Sequence, residues 1–246
     1  MRVLAVIPAR WGSTRFPGKP LASLAGRPLV EHVYRRAGQA RLVDRVLVAT
    51  DDSRILEAVE KFGGEAVLTS GTHPSGSDRV AEVARQVESE VVVNVQGDEA
   101  LLEPAAIDAA VEPLLHDPSL DAATLAAPMA SAELSASPHV VKVVLDLRGN
   151  ALYFSRARIP FSRAADEERT GPPLHHIGLY AYRRSFLLEF MSWPPTPLEI
   201  EERLEQLRIL EHGRTLRVVR VEKAFPGVDT PGDLDRVARL LAAPSA

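Results

Sequence analysis

A chain of 246 residues, 46% hydrophobic and 25% charged, carries enough apolar material for one full core, and a net charge of −4 argues against a nucleic-acid binder. Its longest apolar runs are strand-sized, which excludes a membrane span, and the N-terminal run stops at Pro8-Ala9-Arg10, too soon for a signal-peptide core and its cleavage site. The lack of cysteine removes disulfides, thiolate metal sites and cysteine nucleophiles together, so a cytoplasmic protein is expected.

Val3–Ile7 reads as a buried strand that empties into a loop, Pro8–Pro20, holding Arg10, Arg15 and Lys19, the glycines Gly12 and Gly18, and the hydroxyls of Ser13 and Thr14. Arg2, Arg10, Arg15, Lys19 and Arg27 all precede the first acid of the chain, Glu31. An acidic protein thus opens with a cationic loop outside the carboxyl end of a strand, where open α/β sheets bind ligands. Glycines there let backbone amides join the cations around a polyphosphate, a nucleoside triphosphate above all. The spacing is not that of a P-loop: five residues separate Gly12 from Gly18, and Pro20 stands where a hydroxyl should follow Lys19. A dinucleotide fingerprint fails as well, with only Gly12 in reach of the strand. A surface loop that is merely basic is the bland alternative.

Pro28–Ala40 then reads as a helix, Arg45–Ala49 as a strand, and Asp51-Asp52-Ser53 as the cap of a helix that runs to Phe62 and ends at Gly63-Gly64. Glu65–Leu68 is a short strand, Ser77–Val87 a helix that Ser77 itself could cap, Val91–Val95 a β-branched strand and Pro104–His116 a helix. Strands alternating with helices in this way predict a mostly parallel sheet covered on both faces. After Asp117 the pattern changes. Asp121–Met129, Val140–Asp146, Ala151–Ser155 and Ile177–Tyr182 are strands with few helices between them, an antiparallel or mixed region. Arg163–Gly171 is a charged, glycine-ended, mobile loop. Helices follow over Arg184–Met191 and Leu198–His212, separated by Trp193-Pro194-Pro195, and Leu216–Val221 is the last strand. Thr230-Pro231-Gly232-Asp233 opens a helix to Leu241.

Gln96-Gly97-Asp98-Glu99 follows the Val91–Val95 strand, at the same sheet edge as the opening loop. Asp98 suits Mg²⁺, which needs only one or two carboxylates when phosphates complete its shell; an acid capping a turn explains the residue equally well. Val228-Asp229-Thr230-Pro231 supplies a second acid at a helix start, where capping is the plain alternative. Spacing alone does not join Asp229 to Asp98. The segment from His73 to Arg79 carries small donors suited to a base or ribose, and Arg156, His176 and Tyr180 lie in the second region. A lone histidine in an apolar strand is most often packed and hydrogen-bonded. No Ser-His-Asp order, HExxH or zinc spacing occurs.

In order along nearly the whole chain stand Ile7-Pro8-Ala9-Arg10, Ser13-Thr14-Arg15, Pro17-Gly18-Lys19-Pro20-Leu21, Val48-Ala49-Thr50-Asp51 and Ser75-Gly76-Ser77-Asp78-Arg79. Val93-Asn94-Val95-Gln96-Gly97-Asp98-Glu99, Val141-Lys142-Val143-Val144, Leu152-Tyr153-Phe154-Ser155-Arg156 and His176-Ile177-Gly178-Leu179-Tyr180 follow. Leu204-Glu205-Gln206-Leu207-Arg208 and Val228-Asp229-Thr230-Pro231 complete the series. Together they resemble the 3-deoxy-manno-octulosonate (Kdo) cytidylyltransferases of lipopolysaccharide biosynthesis. The opening loop and the QGD-like turn recur across sugar nucleotidyltransferases, whereas YFSR with LEQLR is narrower.

The resemblance implies a Rossmann-like, mostly parallel sheet of nucleotide-diphospho-sugar transferase type with a smaller mixed or antiparallel region. It implies one domain over 1–246, with a nucleotide-binding half (1–116), a sugar-binding and dimerisation region (117–228) and a C-terminal helix (229–246). Arg10, Ser13 and Lys19 would hold the CTP phosphates, with Lys19, Arg10, Asp98 and Asp229 forming the catalytic set. Ser75, Gly76 and Arg79 would frame the cytidine, and Asp98 and Asp229 would ligate Mg²⁺. Gln96, Arg156, His176, Tyr180, Glu205 and Gln206 would contact an acidic eight-carbon sugar, Arg156 pairing with its carboxylate. A homodimer without nucleic-acid or membrane partners is implied. Ala100 stands where proline usually follows the turn, His175 where a cation commonly precedes the histidine, and Ala224-Phe225-Pro226-Gly227 is a shortened approach to Asp229. These departures touch the choice of sugar more than the phosphate chemistry. The alternatives are a cytidylyltransferase for an amino-Kdo or sialic-acid-like sugar and a silent nucleotide-binding protein.

Overall fold

The computed structural model describes residues 1–12, 16–163 and 171–242. Its first half runs β1 (Val3–Ala9), a 3-10 turn (Lys19–Leu21), β2 (Ser23–Leu24), β3 (Arg27–Pro28), α1 (Leu29–Ala37), β4 (Arg45–Thr50) and α2 (Ser53–Lys61). β5 (Ala66–Leu68), α3 (Gly76–Gln86), β6 (Val91–Asn94) and α4 (Pro104–His116) complete that half. β7 (Ala122–Pro128), α5 (Ala132–Ala136), β8 (Lys142–Leu145), β9 (Ala151–Ser155) and β10 (Leu174–Arg183) come next. The chain closes with α6 (Arg184–Phe190), α7 (Pro197–Glu202), α8 (Leu207–Glu211), β11 (Leu216–Arg220) and α9 (Pro231–Ala242).

Among the described residues nine strands form one sheet in the order β11-β7-β10-β6-β1-β4-β5, with β8 paired to β10 and β9 to β8. β1, β4, β5 and β6 are parallel, as helices interposed between strands require. β10 runs antiparallel between β6 and β7, and this is the mixed part expected of the second region. The sheet is buried on both faces, which is why β1 reads as an unbroken apolar run. Val3, Ala5 and Ile7 point to one core and Leu4 and Val6 to the other, all fully buried. Each Val, Leu or Ile among them contributes about 1.5–3 kcal/mol relative to exposure, and a one-residue slip of the strand would exchange side chains of different size between two packed cores. The exit of Pro8, Ala9 and Arg10 from the sheet is thereby fixed.

Five local features differ from the sequence expectation. α1 begins only at Leu29, because Pro28 pairs with Ser23 in a hairpin turned by Ala25 and Gly26, both at positive φ. α3 is capped by Ser75, whose Oγ accepts from the Asp78 amide at 3.2 Å, and Ser77 lies inside the helix. β10 begins three residues earlier than expected and shifts register between Ile177 and Tyr180. The helix expected over Leu198–His212 is two helices: Arg203 adopts φ 53, a left-handed conformation that ends α7 and turns the chain into α8. α5 occupies a stretch where no helix was expected, started by the Ser131 side chain. Residues 164–170 of the charged loop lie outside the described residues. No helix among the described residues is long and apolar enough to cross a membrane.

Candidate active site

β1 and β6 run parallel with Val6 opposite Asn94, so their carboxyl ends emerge side by side. Pro8, Ala9 and Arg10 leave from one, and Gln96, Gly97 and Asp98 from the other. The two segments meet closely: a Cβ on Gly97 would lie 2.8 Å from the Pro8 carbonyl oxygen, a distance no side chain tolerates. The opening loop returns to its start at Gly18, whose amide donates to the Trp11 carbonyl at 3.1 Å with φ at 69°. Trp11 secures the base of the loop. Its indole carries the Arg54 guanidinium at 3.4 Å, and its amide donates to Asp51 Oδ1 at 3.4 Å. Asp51 Oδ2 in turn accepts from Arg79 Nη2 at 2.9 Å.

Lys19, at the start of the 3-10 turn, reaches the centre of the site. Its Nζ stands 2.7 Å from Asp98 Oδ2 and 3.5 Å from Asp229 Oδ1. The Val228 amide donates to the Asp98 carbonyl at 3.0 Å, which draws the segment before α9 onto the turn after β6. Buried Val228 anchors that contact, and Thr230 and Asp233 exchange hydrogen bonds at the helix start. The cationic loop and two acids 131 residues apart in sequence (229 − 98) therefore share one point. Two carboxylates reachable by one ammonium offer hard oxygen donors only. Among the described residues no group of three or more His, Cys, Asp or Glu could hold a metal ion. That donor set suits Mg²⁺, which completes its shell from phosphate and water.

These groups border a cavity of about 310 Å³ that Arg10, Lys19, His73, Ser75, Gly76, Arg79, Gln96, Asp98 and Asp229 help line. A second cavity of about 350 Å³ adjoins it, and Ser75, Gly76 and Gln96 line both. His176, Tyr180, Glu205 and Gln206 face this second space, joined by Asn94, His139 and His175. Gln96 is steered by β10, its Nε2 donating to the Gly178 carbonyl at 3.1 Å. The break at Arg203 is what turns Glu205 and Gln206 toward the cavity rather than along a helix flank.

Burial sets the electrostatics here. It pushes the His176 imidazole down to about 3, aided by the neighbouring His175, so the ring is neutral; its Nε2 sits 3.0 Å from Thr124 Oγ1. It raises the Tyr180 phenol well above its usual value and also raises Glu205, against the pull of hydrogen bonds from Ser77 and Ser75. Glu99, beside Asp98, has a sealed Oε2 without a partner among the described residues, and burial with the Asp98 charge raises its carboxyl to about 8. Glu99 is therefore held neutral at pH 7 beneath the turn that presents Asp98 to Lys19.

Ser13 lies outside the described residues. Arg79 borders the first cavity, but its buried guanidinium is committed to Asp51 and Thr69, so it braces the wall rather than presenting a free fork. Arg156, expected against the sugar, lines neither cavity: it donates to the carbonyls of Pro138, Glu202 and Arg203. Sequence reasoning passed over Trp11 and Asp51 as the loop's fastening, Glu82 as the partner of His73, and Asn94, whose Oδ1 is buried without a partner among the described residues. A polar Asn closing a run of valines was the available signal for the last of these.

The family model for cytidylyltransferases matches residues 4–218. A 3-deoxy-manno-octulosonate cytidylyltransferase of Geobacter sulfurreducens is 52% identical over 249 residues, covering 98% of this chain and 100% of that protein. A solved structure of a CMP:2-keto-3-deoxy-manno-octonic acid synthetase complexed with CTP is similar at a TM-score of 0.94 and 44% identity, over 98% of this chain and 99% of that one. A 4-diphosphocytidyl-2C-methyl-D-erythritol synthase from Anaerococcus prevotii, at 13% identity and a TM-score of 0.66 over 98% and 99% of the two chains, shares the fold alone. With the family model matched over most of its length and about half of all positions identical across nearly all of it, the chain belongs to the 3-deoxy-manno-octulosonate cytidylyltransferase family.

Proposed function

We propose that this chain transfers CMP from CTP to the anomeric hydroxyl of Kdo, releasing pyrophosphate and supplying CMP-Kdo for lipopolysaccharide assembly. The observation that carries this reading is the shared wall of the two cavities. Ser75, Gly76 and Gln96 border both, so a nucleotide in one and a sugar in the other have their reacting atoms at a common boundary. The sugar oxygen forms a bond to the α-phosphorus, the bond from that phosphorus to the bridging oxygen of pyrophosphate breaks, and the hydroxyl proton passes to solvent. Such a transfer needs positioning and charge stabilisation rather than a protein nucleophile. Lys19 and Arg10 neutralise the charge that accumulates on the leaving pyrophosphate. Asp98 and Asp229 would hold Mg²⁺, which when bound polarises phosphate oxygens. Ser75 and Gly76 at the start of α3 border the nucleoside, and Gln96, His176, Tyr180, Glu205 and Gln206 orient the sugar.

The working unit in this reading is a cytoplasmic homodimer. Supporting it, among the described residues β9 pairs with β8 alone, Leu152 on it is 62% exposed, and Ile200 on α7 is 64% exposed. Pyrophosphate release from CTP and Kdo in the presence of Mg²⁺, against UTP and sialic acid controls, tests the function. Release with CTP and Kdo alone is expected; equal release with sialic acid, or none with any sugar, overturns it.

A further inference from the structure

The chain contains 25 arginines and only 4 lysines. Lys61 and Lys223 are exposed and Lys19 belongs to the site above; the fourth, Lys142 at the start of β8, is fully buried. Among the described residues no carboxylate lies within ion-pair distance of it. Its ammonium instead donates to three main-chain carbonyls, those of Ser137 at 2.8 Å, Val140 at 2.7 Å and Arg156. Three donors meet three acceptors, the full capacity of a compact ammonium, whereas a guanidinium's donors are fixed in one plane. That accounts for lysine in a chain that otherwise favours arginine.

The Arg156 side chain works on the same loop from the other side. It donates to the carbonyls of Pro138 at 3.1 Å, Glu202 at 2.8 Å and Arg203 at 3.4 Å. The carbonyls of residues 137, 138 and 140 therefore all end on cations. Each laced segment runs directly into the wall of the second cavity: Pro138 into His139, Val140 into Val141, and Arg203 into Leu204, Glu205 and Gln206. Lys142 also lies opposite His175 across the β8–β10 pair, another residue of that wall. Burying an ammonium with no carboxylate in direct contact is costly even with Glu202 close enough to favour its charge, and an apolar side chain would fill the space without that penalty.

We propose that Lys142 is a positioning residue for the acidic co-substrate, its ammonium fixing loop 137–140 against the Arg156 main chain and so setting the shape of the second cavity. The inference rests on the reading of that cavity as the sugar's. The test is steady-state turnover of Lys142→Met and Lys142→Gln with Kdo varied at saturating CTP, alongside calorimetric CTP binding. The sugar KM is expected to rise about tenfold or more in Lys142→Met while kcat and CTP affinity stay within about threefold, the pattern of lost substrate binding. Lys142→Gln, which keeps two donors, is expected to recover part of that loss. An unchanged sugar KM in both variants overturns the inference. So does a parallel fall of kcat and CTP affinity, or failure of both variants to fold, since either makes Lys142 a general stability residue. Wild-type behaviour separates the two layers: without turnover of Kdo in the wild type the functional reading fails, and with it an unchanged KM in the variants removes this inference alone.

Discussion

Replacing His176 by glutamine should flatten the acid dependence of stability while leaving the fold at neutral pH nearly intact. In the folded protein burial holds the His176 imidazole near 3, against an ordinary value of 6.5 for an exposed ring. Between those values the unfolded chain binds a proton that the folded chain refuses, so stability rises with pH through this window and is lost on acidification. At about pH 5 the unfolded ring gains roughly 1.5 pKa units' worth of protonation, or about 2 kcal/mol, whereas at about pH 7.5 the effect vanishes. Glutamine has no such proton, and its amide can still meet Thr124, which stands 3.0 Å from the His176 ring. The ring's edge contacts with Phe154 and Tyr180 disappear, at a pH-independent cost of about 0.5–1.5 kcal/mol each. Urea unfolding of both proteins at several pH values separates the slope from the offset. Wild type should lose about 2 kcal/mol more than His176→Gln between pH 7.5 and pH 5. Parallel curves would refute the argument, because they would mean the imidazole titrates normally in the folded state.

Three further changes probe the other supports of the site. Asp98→Asn should lower kcat by about 100-fold or more with little change in stability, read by pyrophosphate release; wild-type-like rates in saturating Mg²⁺ would remove Asp98 from metal binding. Gly97→Ala places a Cβ 2.8 Å from the Pro8 carbonyl oxygen and should cost about 1–3 kcal/mol by denaturant unfolding while weakening CTP binding; an unaltered midpoint would show that the two strand ends can separate freely. Arg79→Met leaves Asp51 without its buried partner and should destabilise by about 3–5 kcal/mol, whereas the double variant with Asp51→Asn should recover part of that loss. Full additivity of the two changes would deny the coupling.

The parallel half was legible because its signals are local: apolar runs of strand length, helices of ten residues with caps, and charge placed just past strand ends. Val3–Ile7 and Val91–Asn94 needed nothing beyond their own letters, although β1 continues through Pro8 and Ala9, which read as loop. Convergence of Asp98 and Asp229 was not legible from spacing, since it depends on Val228 packing and donating its amide across the sheet edge. The left-handed Arg203 was invisible for a different reason. Leu198–His212 keeps helical periodicity throughout, and the break is imposed by tertiary contacts such as the Arg208–Glu199 ion pair at 2.5 Å, which folds α8 back on α7. Arg156 illustrates a third limit. Residue type suggested a carboxylate partner, but the carbonyls that take its guanidinium are contributed by main chain, which sequence does not distinguish from any other main chain.

The direction of β10 explains how one sheet builds both cavities. A parallel neighbour of β6 would end where β6 ends, leaving every wall beyond the strand tips to loops. β10 runs the other way, with Tyr180 opposite Asn94 and Arg183 opposite Val91, so its first half continues past the carboxyl end of β6. His176 therefore stands beyond the tip of β6 while still held in the β7 ladder, and Gln96 leaves β6 to bond the carbonyl of Gly178, in the register shift that follows, at 3.1 Å. The first cavity is walled by turns that need glycine and cation contacts to hold their shape. The wall of the second cavity rests on a ten-residue strand paired to β6 and β7. An antiparallel insertion at this edge of a parallel sheet thus gives the second cavity a strand wall beside the first. That is the physical reason two chemically unlike pockets share Ser75, Gly76 and Gln96.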